Sequence, residues 1–345
     1  MKYNIIGDIH GRTEWIYLVQ DDAINIFVGD YFSPYDKKIT FEDCKNNFLD
    51  IIEYKKKHWD NTILLIGNHD EDHWHLCEVY SRHDFAHEDE IKELFEMYRG
   101  LFQVAYAIDD KALVTHAGVS YVWYEHYKNH HLSYTAFNCN FDDPDKVKSV
   151  YPPYDMIPLA NPIKFSLCKN PEEAYSVWME KAHREFAPEN KKPKDGQFIE
   201  WQNKLWKYNK ELEKFEEYYV SPQEVADFIN KLWKEDEKYS AFSFNANRGY
   251  YDSYGNDEKH GPMWIRPEAL AAANIFEFRN IWQFFGHTQQ LAYLNDYDMP
   301  IDKLSKFIIN NKSKFVYCDC LGYAPISIIY DSETNEITIN KQNIK

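Results

Sequence analysis

The chain has 345 residues, 39 Lys+Arg against 56 Asp+Glu, a formal net charge of −17, and 44% hydrophobic residues, among them 27 Tyr, 22 Phe and 10 Trp. That much apolar material builds a large core and excludes a disordered chain; the length suits one large domain, or a domain with a sizeable insertion. The negative surplus disfavours broad nucleic-acid binding, and no run of about 18 apolar residues is present to span a membrane.

The first element starts at once. KYNIIGD (2–8) is an apolar run ending in Gly-Asp, and MKYNIIGDIHG lacks an apolar stretch followed by a small-residue cleavage site, so a cytoplasmic location is expected. INIFVGD (24–30) and TILLIGNHD (62–70) repeat the pattern. Between them Thr40 and Asp43 form a capping box for a helix with Cys44, Phe48, Ile51 and Ile52 on one side. Ile91, Leu94, Phe95 and Tyr98 recur at helical spacing over 89–98, and KALVTHAG (111–118) is the next strand. Such Ile-, Val- and Phe-rich runs fit strands buried on both faces, and their alternation with helices predicts an α/β core.

Residues 129–239 break the pattern. The stretch 138–171 holds six prolines and is expected to be loop. Tyr175, Trp178, Met179, Ala182 and Phe186 form a helical stripe. Over 197–219, Phe198, Trp201, Leu205, Tyr208, Leu212, Phe215 and Tyr219 step by 3 and 4 and predict a heptad seam. Ser221, Pro222 and Glu224 start a further helix bearing Val225, Phe228, Ile229 and Leu232. The expectation is a mainly helical insertion at 129–239, either a cap over the site or a stability or oligomer element, between core segments 1–128 and 240–345. The core resumes with IWQFFGHT (281–288), FVYCDC (315–320) and ISIIYD (326–331). Among Cys44, Cys77, Cys139, Cys168, Cys318 and Cys320 no CxxC pair occurs, so no disulfide scaffold or four-cysteine zinc site is expected; Cys318 and Cys320 read as core.

Ligand-type residues close five of these runs: Asp8 and His10 in GDIHG, Asp30 in GDY, Asn68 and His69 in GNHD, His116 in THAG and His287 in GHT. Hard divalent ions take carboxylate and amide oxygens, and borderline ions also take imidazole. Asp8, His10 and Asp30 suit one ion; Asn68, His116 and His287 suit a second, with Asp30 between them. Two ions about 3.5–4 Å apart clamp an in-line attack at phosphorus. Each motif alone also reads as a turn or a helix cap; five in order, each after an apolar run, do not.

The set GDIHG, GDY, GNHD, HAG and GH resembles the calcineurin-like metallophosphoesterases, and within them looks most like the branch holding phosphoprotein phosphatases and bacterial diadenosine tetraphosphatases. The resemblance covers 1–128 and 240–345. It implies a four-layer αββα β-sandwich flanked by helices. It also implies two divalent ions, manganese first and iron or zinc next, held by Asp8, His10, Asp30, Asn68, His116 and His287. By the same resemblance, a water activated between the ions attacks a phosphorylated small molecule, nucleotide or phosphopeptide, and His69 protonates the leaving oxygen. Gln289 stands where many phosphodiesterase relatives carry a second histidine, which favours the phosphatase-like branch.

The chain departs from that branch at GDYFSPYD, where Ser33 and Pro34 replace an aspartate that orients the catalytic histidine and an arginine that grips phosphate. Asp70 or Asp36 is expected to orient His69. Arg266, then Arg248, then Arg12 are expected to grip phosphate through the guanidinium fork. His73, His75, His130 and His131 read as ordinary residues, and YYDSYG (250–255) as packing or as a wall for a base or phenol. The leading expectation is a metal-dependent phosphomonoesterase. A phosphodiesterase or dinucleoside polyphosphate hydrolase is second, and a non-catalytic metal-binding interaction module third. The oligomeric state is not legible.

Overall fold

In the computed structural model of the chain, the described residues are 1–75, 82–130, 169–170, 172–173, 176, 198–201, 204–235, 241–244, 254–273, 278, 281–291 and 299–342. The chain divides into two units: Met1–Asn129 with Ser221–Ile275 and Arg279–Lys345, and His130–Val220 with Phe276–Phe278.

In the first unit the expected apolar runs form two sheets. β1 (Lys2–Ile6), β2 (Ile24–Phe27), β3 (Thr62–Leu65) and β4 (Phe102–Gln103) lie side by side and parallel, with Ile5 beside Ile26 and Ile26 beside Ile63. The chain's last strands, β13 (Ile326–Asp331) and β14 (Glu336–Lys341), extend that sheet antiparallel from β1. The second sheet runs in the order β11 (Ile309–Asn310), β12 (Phe315–Tyr317), β10 (Trp282–Phe285), β6 (Ala112–Thr115), β5 (Ala105–Ile108), with β6 parallel to β10.

Side-chain alternation decides the layers. Tyr3, Ile5, Ile26, Val28, Leu65, Ile328 and Tyr330 of the first sheet share one buried cluster with Val114, Phe284 and Val316 of the second. Phe284 and Tyr330 meet with ring centroids 5.1 Å apart. The neighbours of those residues point outward. Phe27 meets Trp15, whose indole also meets Tyr54 of α1 (Phe41–Lys57) and donates to Asn47 Oδ1 at 2.8 Å. On the far side Phe285 and Phe315 join Ile265 and Leu270, so α6 (Pro267–Ala273) covers the second sheet. The architecture is therefore helix, sheet, sheet, helix. The capping box of Thr40 and Asp43 starts α1 as expected. Among the described residues no helix is long and apolar enough to cross a membrane.

The region read as a helical insertion differs in two ways. First, α5 (Pro222–Glu235) begins where Ser221 and Pro222 predict, yet belongs to the first unit. Its Asn230 amide accepts from the Val104 and Ala105 N–H groups at 2.9 and 3.0 Å and donates to the Ala105 carbonyl at 2.8 Å, closing the open edge at β5. Second, the heptad seam is not a helix. In the second unit β7 (Phe198–Trp201), β8 (Lys204–Asn209) and β9 (Lys214–Glu217) pair in that order as antiparallel strands.

Local chemistry explains the second difference. Each run is 4–6 residues long and carries aromatic or β-branched side chains. Asn209 Oδ1 accepts from the N–H groups of Glu211 and Leu212, and Glu213 adopts φ 50°, which makes a turn where the seam needs a helix. Leu212, a seam position, is 53% exposed, while Tyr208 and Phe215 pair across the ladder. The helical stripe of 172–186 and the loop of 138–171 lie almost wholly outside the described residues, as do His131, Arg248, Cys77, Cys139, Cys168 and YYDSYG up to residue 253.

Candidate metal centre

Parallel strands end at one edge, and α/β proteins build sites there. Asp8 and His10 follow β1, and Asp30 follows β2. Asn68 opens α2 (Asn68–His75) three residues after the end of β3. His116 follows β6 and His287 follows β10. Asp8, His10, Asp30, Asn68, His69 and His116 are all buried.

The loops that carry them hold strained backbone. His10, Asp30 and His287 adopt φ of 46°, 56° and 59°, a region that costs a side-chain-bearing residue about 1–2 kcal/mol. Hydrogen bonds between loops enforce it. The His10 N–H donates to the Asp30 carbonyl at 2.6 Å, the His287 N–H to the Asp8 carboxylate at 2.9 and 3.1 Å, and the His69 N–H to Asp30 Oδ1 at 2.9 Å. Two glycines make room. A Cβ on Gly67 would sit 2.2 Å from Asp30 Oδ1, and one on Gly286 1.9 Å from Asp8 Oδ1.

Asp70 fastens this rim. Its carboxylate accepts N–H groups from Asp30 at 2.7 Å, Tyr31 at 2.8 Å and Gly67 at 2.9 Å. The expected role of orienting the His69 ring does not fall to it, because its oxygens are turned to three backbone amides. Nor does it fall to Asp36, which is exposed and accepts from Lys38 N–H. His73 and His75 serve α2: His73 bridges the His69 carbonyl and the Asp84 N–H, and His75 pairs with Glu71.

Donor and acceptor arithmetic then shows what the centre lacks. His116 Nδ1 lies 2.9 Å from the Val28 carbonyl and His10 Nδ1 3.0 Å from the Phe32 carbonyl. A carbonyl only accepts, so in each neutral ring Nδ1 carries the proton and Nε2 presents a lone pair. The His116 lone pair faces Asn68 Oδ1 at 2.9 Å and Asp30 Oδ2 at 3.5 Å; that of His10 faces Asp30 Oδ2 at 3.5 Å. His287 Nδ1 meets the same Asn68 oxygen at 2.9 Å. Burial drives His116 down to about 3 and also lowers His10 and His287, so imidazolium does not relieve the opposition. Burial pushes Asp30 up to about 7 and raises Asp8, the latter helped by nearby Asp319 and Asp30. Ligand atoms of Asp8, His10 and Asp30 lie within 4.8 Å of one another.

A family model described as calcineurin-like phosphoesterase matches residues 1–193. The chain belongs to the calcineurin-like phosphoesterase family. No curated protein matches it.

Members of this phosphoesterase family bind divalent metal, and the residues here fit that requirement. Buried lone pairs aimed at one another, carboxylates pushed toward neutrality and imidazoles kept neutral are the electrostatics of ligands gathered for cations.

Three further residues reach the phosphoesterase centre without a signal in the sequence. Arg82 Nη2 lies 2.8 Å from His69 Nε2, and its guanidinium sits 3.4 Å over the ring of Tyr35, whose edge meets His10 at 4.7 Å. Asp319, from the FVYCDC run, is buried and pushed up to about 7, chiefly by burial and with Asp30 adding to it, against Arg12, Arg266 and Arg82. Its neighbours Cys318 and Cys320 are core residues, and the carbonyl of Cys318 is what a Cβ at Gly7 would strike, at 1.9 Å. Arg266, the first expected phosphate grip, reaches the rim but is engaged there: Nε donates to the Tyr254 carbonyl, Nη1 to the His287 carbonyl and Thr288 Oγ1. Arg12 lies with its guanidinium 6.0 Å from the Tyr35 ring.

Proposed function

We propose that the protein is a metal-dependent phosphomonoesterase working with two divalent ions, manganese first among them. The observation that carries this reading is the meeting of the His10 and His116 lone pairs on the carboxylate of Asp30, with the Asn68 oxygen against the same His116 nitrogen. Asp8, His10 and Asp30 would hold one ion, and Asp30, Asn68, His116 and His287 the other. The ions supply an activated water and neutralise charge on the equatorial phosphate oxygens.

The chain's own groups do the rest. Nδ1–H donation to Val28 and Phe32 carbonyls fixes the rings of His116 and His10. Asp70 ties the Asp30 loop to the Asn68 loop, so both ligand sets move as one. His69, next in sequence to Asn68, presents Nε2 as the group that meets the leaving oxygen. Arg266 holds the His287 loop and adds positive charge at the rim.

A second reading, hydrolysis of a diester or dinucleoside polyphosphate, draws support from the exposed ring of Tyr35 beside His10, a surface on which a base can stack. One screen separates the readings. Metal-stripped protein is supplied with manganese, iron or zinc and assayed on an aryl phosphate and on the matching bis-aryl ester. Manganese-dependent turnover of the monoester is expected, with slower turnover of the diester. Stoichiometric metal with no hydrolysis on a broad panel would favour a binding module.

A further inference from the structure

We infer that Arg82 is the residue that grips the phosphate under attack, with the ring of Tyr35 as its platform, and that His69 is uncovered for the leaving oxygen when Arg82 turns to substrate. The inference rests on the phosphoesterase reading above and adds the residue that Pro34 leaves missing.

Four observations converge on Arg82. Its Nη2 covers His69 Nε2 at 2.8 Å, so the guanidinium stands against the imidazole that follows the Asn68 ligand position in the chain. Its Nη1 is buried without a hydrogen-bond partner, a donor waiting for an acceptor. Its guanidinium carbon lies 3.4 Å from the ring centroid of Tyr35, which is 60% exposed, so one side of the pair opens to solvent. Its backbone takes φ 72°, a conformation an arginine adopts only where its surroundings fix it.

A guanidinium offers five donors in a planar fork. In Arg82 Nη2 is lent to a neutral nitrogen and Nη1 has no partner. A phosphate dianion is the stronger acceptor for both. Drawing the fork onto two phosphate oxygens breaks the contact with His69, whose Nε2 accepts from Arg82 and so carries no proton; once uncovered, Nε2 takes a proton from solvent and holds it toward the bridging ester oxygen. Arg266 is less suited, since its Nε and Nη1 already hold Tyr254, His287 and Thr288.

The alternative is that Arg82 only positions His69. Inorganic phosphate distinguishes the two without turnover. Manganese-loaded full-length protein is titrated with phosphate by calorimetry, and p-nitrophenyl phosphate kinetics are run alongside. Arg82→Ala is expected to weaken phosphate binding at least ten-fold and to raise KM in step. Arg82→Lys is expected to recover only part of the loss, because the fork is gone, and Tyr35→Leu to show a smaller loss of the same kind. Manganese affinity is expected to stay at the wild-type value in all three. Should Arg82→Ala fold poorly, Arg82→Gln carries the same expectation with less change in volume. Wild-type phosphate affinity in Arg82→Ala or Arg82→Gln with a lower kcat, or no phosphate binding by the wild type, would overturn the inference. A wild type that binds phosphate through Arg82 yet hydrolyses no ester would sink the phosphomonoesterase reading and leave this one standing.

Discussion

The rim of the sandwich and its interior obey opposite rules. In the interior, Phe284, Val114, Ile5 and Ile328 bury apolar surface against apolar surface, and every contact favours the fold. At the rim, one to four residues beyond the strand ends, Asp8, Asp30, His10 and His116 are just as buried, but the lone pairs of His10 and His116 face the Asp30 carboxylate and the backbones of His10 and Asp30 are strained. The interior contributes the free energy that the rim consumes. On the metal-binding reading proposed above, bound cations offset that cost, so changes in the two regions are expected to separate activity from stability.

The largest expected effect is at Asp30. Asp30→Asn keeps an oxygen for the His69 N–H and removes the charge that both ligand sets face. Turnover is expected to fall by more than the roughly 10–100-fold that outer partners of metal ligands cost. The melting temperature of the metal-free protein is expected to hold or rise, because a carboxyl that burial pushes up to about 7 is no longer forced to ionise. A calorimetric scan of both proteins without metal checks it. A large drop in melting temperature would show that Asp30 supports the fold and not only the ions.

Phe284→Ala is the mirror experiment. The ring is fully buried between the sheets against Tyr330, and its loss is expected to cost about 3–5 kcal/mol in urea unfolding. At a temperature where the variant remains folded, turnover per molecule is expected to stay near wild type.

The pH dependence of the metal-free protein sharpens the contrast further. The buried imidazoles of His10, His69, His116 and His287 are neutral in the folded chain, while the unfolded chain still protonates about half of its histidines near pH 6.5, so they add a rising slope that fades above about pH 7.5. Asp30 and Asp319, both pushed up to about 7, still hold protons in the folded state that the unfolded chain has released. With Asp8 and Asp70 raised as well, the folded state binds more protons than the unfolded chain above about pH 7, so stability falls as pH rises from about 7 to 8. Saturating manganese is expected to flatten or reverse that slope, since the ions take the place of the protons. A metal-free melting temperature that climbs over this window would contradict the assignment of Asp30 and Asp319 as raised.

Much of this was legible in the sequence, for a physical reason. Parallel strands buried on both faces leave apolar runs, and a site at their carboxyl ends must follow each run within a residue or two; Asp8, Asp30, Asn68, His116 and His287 all do. Arg82 escaped because it follows a helix and not a strand, 13 residues after His69, and only the folded chain brings it back. Asp319 escaped because it ends a run without a glycine and sits between two core cysteines. The expectation for Asp70 failed because adjacency to His69 in sequence says nothing about direction, and its carboxylate turns to three backbone amides of two loops. The seam at 197–219 misled because alternate steps of 3 and 4 also arise when short strands are joined by turns, and the turn chemistry of Asn209 outweighed the period.

The smallest expected effect tests where the rim ends. Thr40→Ala removes the reciprocal cap at the start of α1 and is expected to cost about 1 kcal/mol. That helix start is not remote from the centre: a Cβ on Gly11, the residue after His10, would sit 2.7 Å from Ile39 and 2.6 Å from the Cys44 sulfur. The His10 loop is also tied from the opposite side, by the His10 and Gly11 N–H groups to the Asp30 and Tyr31 carbonyls at 2.6 and 3.0 Å. Those two bonds do not involve α1, so manganese affinity is expected to be unchanged while stability drops. A matching loss of affinity, measured by manganese titration of the folded variant, would mean that the rim leans on the helix as well as on its neighbouring loop, and that the two regions are coupled through Gly11.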